Sequence, residues 1–145
     1  MASATGPARE QKLLDTLTQW QHVEREAIET MDSIMNKTKN PLIRQFMEII
    51  RNDSVQHHRV QQFLIDSMTK QAVTLTPEEL GEIWEQIEAH DEVEKKTIAM
   101  AKECLAESRS IVQTSLLNYL LRDEEKHDVI LQELEVFKRK IHSPS

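Results

Sequence analysis

Apolar residues recur along this chain at alternating steps of three and four, the interval at which one face of a helix returns to the same packing neighbour. A first stripe runs Leu13, Leu17, Trp20, Ala27, Met31, Ile34, and a second Ile43, Phe46, Ile50, Val60, Leu64. A third runs Leu80, Ile83, Ile87, Ala101, and a fourth Leu117, Leu120, Leu131, Leu134. With 2 Gly and 4 Pro in 145 residues, the chain lacks the turn residues that a β sandwich needs, and its charged-plus-aliphatic profile is that of a helical protein. The expected class is all-α: one domain over residues 1–145, built as a four-helix bundle.

Three punctuation points divide the stripes. Asn40-Pro41 pairs an N-cap residue with proline at the first helical position, where its missing N–H costs nothing. Thr76-Pro77-Glu78-Glu79 has the form of a capping box, and Ser110 with Gln113 repeats it more weakly. Helices are therefore expected near residues 8–37, 41–69, 77–108 and 111–141.

Charge and composition exclude several partners. A net charge of −7 with no extended run of Lys or Arg argues against a phosphate-tracking surface, so nucleic acid is not expected. No apolar stretch approaches the 18 or so residues of a membrane span, and Met1 to Arg9 lacks the apolar core of a signal peptide. The single Cys104 cannot form an internal disulfide. These features together lead to the expectation of a soluble protein in a reducing, cytoplasmic setting.

Polar residues break each stripe midway: Glu24 in the first, Asp53 and His57 in the second, His90 and Glu94 in the third, Glu124 and His127 in the fourth. A shift of 70 residues superimposes these breaks, laying Val23-Glu24 on Val93-Glu94, Asp53 on Asp123, His57 on His127, and Gln62 on Gln132. The apolar positions coincide as well, as with Ile50 and Leu120, and the pattern reads as a duplicated helical hairpin.

A carboxylate inside a helical core costs several kcal/mol unless a positive or hydrogen-bonding partner meets it. Glu24, Glu94 and Glu124 interrupt the stripes, and no Lys or Arg does so at the same level, so a divalent cation is the natural counter-charge. Carboxylate oxygen with imidazole nitrogen suits iron, manganese or zinc. Glu124-Glu125-Lys126-His127 puts two ligands on one helix face at i, i+3, the carboxylate-bridged di-iron arrangement of helical bundles. The competing reading is a polar layer that fixes helix register, each Glu bonded to a His.

At these residues the chain resembles the ferritin-like superfamily, most closely the small rubrerythrin-type proteins. The resemblance rests on Trp20 to Met31 with Glu24, Asn40 to Leu64 with His57, His90 to Ala101 with Glu94, and Arg122 to Leu134 with Glu124 and His127. It implies two metal ions, Glu24 with His57 on one and Glu94 with His127 on the other, Glu124 bridging. It further implies ferroxidase, peroxide or oxygen chemistry, with O2 or peroxide as the oxidant. The chain departs from the family at Ser54, where a second bridging Glu belongs, so one ion is expected to bind weakly, with Asp53 or His90 one turn from a ligand and able to compensate. The four-cysteine rubredoxin module is also missing, so an electron donor would be another protein.

Glu24 and His57, Glu94 and His127, and His57 and Glu94 all have midpoints at expected turns, which suits up-down-up-down connectivity. The family's crossover between the second and third helices would have to be made by about 7 extended residues reaching about 25 Å. It needs either a break in the third helix near Gly81 or exchange of hairpins between two chains, and a homo-oligomeric, dimeric state is expected. Hemerythrin-like oxygen carriage fits less well, because His22 lies off its stripe. Trp20, Trp84, Tyr119 and the methionines read as packing residues, Cys104 as buried filler, and His58 as exposed. The contending functions are a ferritin-like iron-handling oxidoreductase and a helical interaction scaffold with a degenerate metal site.

Overall fold

The computed structural model of the chain describes residues 6–142. It contains α1 (Gly6–Lys37), α2 (Pro41–Thr69), α3 (Pro77–Gly81), α4 (Trp84–Ala106) and α5 (Ile111–His142), with no strand among the described residues. No described helix is long and apolar enough to cross a membrane. The N-terminal stretch read above lies in part outside the described residues. The chain divides into two compact units, one ending at Val73 and the other starting at Thr74. The first is the α1–α2 hairpin; the second is the α4–α5 hairpin with the short α3 against both of its helices.

The caps form where the sequence puts them. Asn40 Oδ1 accepts from the backbone N–H groups of Leu42 and Ile43 at 3.0 and 3.1 Å, covering two orphan donors at the start of α2. Thr76 and Glu79 close a reciprocal capping box: Glu79 N–H donates to Thr76 Oγ1 and Thr76 N–H to Glu79 Oε1. At α5 the box is displaced by one residue. Gln113 N–H donates to Ser110 Oγ, but the Gln113 side chain reaches back to the N–H of Arg109.

The expected helix over 77–108 is interrupted. After Gly81 the Ile83 N–H turns to the carbonyl of Leu80, and Ile83 has φ −113° and ψ −1°, off the helical values, before α4 begins at Trp84. Glycine is the costliest non-proline residue in a helix, and it stands at the break. Trp84 anchors the restart, its indole N–H donating to Glu88 Oε1 at 2.6 Å while Lys138 of α5 lies 4.3 Å above its ring.

Within each hairpin the helix contact is more polar than the stripes suggest. The buried apolar residues are Leu17, Leu80 and Ala101, whereas Gln21, Glu24, Ser54, Gln61 and Glu94 are buried polar ones. In the first unit Gln21 donates from Nε2 to the His58 carbonyl and to Gln62 Oε1, tying α1 to α2; His58 is half-buried there rather than exposed. Arg51 pairs with Asp32 at 2.6 Å nearer the turn. In the second unit Asp91 and Asp128 fill the level that Gln21 and His58 occupy in the first. Hydrogen bonding to Asp128 holds the Asp91 carboxyl below the usual range, and the same bond raises that of Asp128.

Much of each apolar stripe lies outside the buried line of the hairpins. Leu13, Trp20, Ile43, Ile50, Val60, Leu64, Ile83 and Leu120 are between 42% and 52% exposed, although their spacing assigns them to a core. Two helices alone cover only a narrow strip of each other, here set by Leu17, Gln21 and Glu24, and an apolar stripe of 100° or more overlaps its edge. Cys104 is likewise exposed rather than buried filler, because it stands about 60° round α4 from the buried Ala101.

The break at Gly81 generates a direct test. A Cβ there would meet no atom within 4 Å, and the backbone does not take a positive φ. Gly81→Ala is expected to stabilise the chain by about 0.5–1 kcal/mol through lower unfolded-state entropy and better helix propensity. Chemical denaturation measures it; a loss of stability would show that the break needs glycine.

Candidate metal centre

The second unit gathers its polar interruptions into one cluster. Helix α4 carries His90, Glu94 and Thr97 at steps of four and three, hence on one face, and α5 presents Asp123, Glu124 and His127. Glu94, Glu124 and His127 each offer one ligand atom, and these atoms all lie within 4.8 Å of one another. They line a cavity of about 550 Å³ together with His90 and Thr97.

Each member is held by a nameable contact. Thr97 donates its hydroxyl to Glu124 Oε2 at 2.8 Å across the two helices. His127 turns Nδ1 toward Glu94 Oε1 at 3.6 Å and Glu124 Oε2 at 3.8 Å, while Nε2 faces Asp123 Oδ2 at 3.5 Å. That arrangement fixes the ring: a carboxylate on Nε2 favours the tautomer whose Nδ1 lone pair is free for a cation. His90 Nε2 stands 2.8 Å from Glu94 Oε1.

The cluster brings two carboxyl groups close together, one of them buried. The Glu94 side chain is only 7% exposed, and its Oε2 is buried with no donor in reach. Glu124's carboxyl is held below its ordinary range, first by hydrogen bonding to Glu94 and then by Thr97. A bond between two carboxyls exists only with a proton between them; without one, two anions meet in a half-buried site. A divalent ion would remove that repulsion, so these residues fit a carboxylate- and imidazole-bound metal.

The first unit repeats half of this design. His57 directs Nδ1 at Glu24 Oε1 and Nε2 at Asp53 Oδ2, both at 3.4 Å, matching the pattern of His127, Glu94 and Asp123. Glu24 is buried like Glu94. Ser54 occupies the Glu124 position, buried but unable to add charge, and Trp20 stands where the second unit has His90. Among the described residues, no set of three metal-ligating groups comparable to Glu94, Glu124 and His127 forms here.

Every sequence candidate thus lies in one of two clusters: Glu24, His57 and Asp53 in the first hairpin, and Glu94, Glu124, His127 and His90 in the second. Asp53 Oδ2 lies 3.4 Å from His57 Nε2. His22 is off the site, paired with Glu26 at the surface. Sequence reasoning missed Thr97, whose signal was its place one turn after Glu94. Comparison with protein-family models, with curated proteins and with solved structures finds no match.

Ser54 offers a test of the repeat. Ser54→Glu should lower metal-free stability by about 1–3 kcal/mol, because a larger charged side chain enters a buried position beside Glu24. It should also tighten cation binding in the first hairpin. Calorimetric titration checks both; lower stability with unchanged affinity would mean that position 54 does not face the cation.

Proposed function

We propose that the chain is a ferritin-like metal-binding protein whose two hairpins each hold one ion of a carboxylate and histidine centre, iron or manganese. The observation that carries this reading is the convergence of Glu94, Glu124 and His127 around a buried carboxylate oxygen that no protein donor satisfies. The 70-residue repeat supports it, since Glu24 and His57 reproduce the Glu94 and His127 geometry in the first hairpin. Such a centre, when loaded, supplies electrons to O2 or peroxide. The chain's own part would be to hold the ions, to orient His57 and His127 through Asp53 and Asp123, and to keep Glu94 shielded from water.

The second reading is a helical scaffold with a decayed site, and the neutral Ser54 is what favours it. The two separate on metal uptake. Protein purified without chelator should carry one to two Fe or Mn ions per chain by elemental analysis. Its thermal midpoint should rise with added Fe(II) under anaerobic conditions, because an ion that binds only the folded chain stabilises it. A melt indifferent to excess metal supports the scaffold.

A further inference from the structure

Two of the polar positions at which the hairpins differ could bear on a cation, and that difference predicts an order of filling. Where the second has Glu124 the first has Ser54, and where the second has His90 the first has Trp20. The second hairpin therefore gathers two carboxylates and an imidazole, with His90 as an additional contact; the first offers one buried carboxylate and one imidazole. Both Asp53 and Asp123 are engaged on the far nitrogen of their histidines.

His90 is the less obvious half of this contrast. Its Nε2 lies 2.8 Å from Glu94 Oε1, one turn back on the same helix, and its ring is a wall of the cavity around Glu94, Glu124 and His127. It is absent from the set whose ligand atoms lie mutually within 4.8 Å. The geometry thus places it against one oxygen of Glu94 and leaves the other, Oε2, buried without a donor. A carboxylate held by such a contact swings less, and it meets a cation with less ordering left to lose.

Resting on the metal-binding reading above, we infer that the hairpins are unequal cation sites filled in sequence. The site at Glu94, Glu124 and His127 is the tight one, and His90 is its positioning residue, holding the Glu94 carboxylate in place through Oε1. The site at Glu24 and His57 fills second. One imidazole with two carboxylates suits a transition-metal dication better than Mg²⁺ or Ca²⁺, which favour all-oxygen sites.

Titration of the full chain with Co(II), followed by its visible absorption, tests this. The parent should bind one ion tightly and a second more weakly. Glu24→Gln should remove only the weak ion and Glu94→Gln the tight one. His90→Ala should weaken the tight ion about 10- to 100-fold, the usual effect of losing a group that orients a ligand. His90→Gln, which keeps an N–H donor, should recover most of that loss. Proton NMR at one equivalent of Co(II) should show a single exchangeable, hyperfine-shifted imidazole N–H, from His127. Equal affinities for the two ions, an unaffected His90→Ala, a His90→Gln as weak as the alanine variant, or two shifted imidazole signals would each overturn the inference while leaving metal binding standing. A chain that takes up no Co(II) would remove the metal reading and this inference together.

Discussion

A buried carboxylate with one oxygen that meets no donor is the constraint around which the second hairpin is arranged. Glu94 is nearly inaccessible and one of its oxygens meets no donor, while its other contacts are imidazoles and a second carboxyl. In a protein interior such a group either acquires a proton or is matched by a cation, since the desolvation of an unpaired anion costs several kcal/mol. Under the proposed function it is matched by a cation. His127 is oriented from behind by Asp123, Glu124 is steadied by Thr97, and the three groups face a common space.

That arrangement explains why the helix contacts are polar at their centre. A hairpin that buried only leucine would be a better hydrophobic unit, yet here Glu24, Ser54 and Gln21 occupy the buried line of the first hairpin and Glu94 that of the second. Gln21 bonds across to α2, and Asp91 with Asp128 holds the same level in the other unit. The polar layer and the metal site are therefore compatible readings of one arrangement. Register is set by the hydrogen bonds beside the site, and the carboxylates within it remain for the ion.

Much of this was readable before any coordinates. Helix starts at Asn40 and Thr76 were legible because capping is local chemistry, settled within four residues. The grouping of Glu94, Glu124 and His127 was legible because a repeat of two hairpins constrains which levels can meet. The interruption after Gly81 was less so: one glycine in an otherwise periodic stripe does not separate a tolerated helical residue from a break. Periodicity also identified the apolar stripes but not which edge of each stripe the hairpin buries, so Trp20, Ile50 and Cys104 were assigned to a core that they do not occupy. Asp53 is less legible still: a carboxylate four residues before a histidine serves equally well as a ligand or as the group that orients one.

The central claim, that these clusters are cation sites and not only a polar layer, is tested most directly by anomalous diffraction from crystals grown with Mn(II). The account predicts a strong anomalous peak within about 2.0–2.3 Å of Glu94, Glu124 and His127, and a weaker one beside Glu24 and His57. Peaks confined to surface carboxylates, with Glu94 Oε2 still unpartnered at saturating metal, would contradict it.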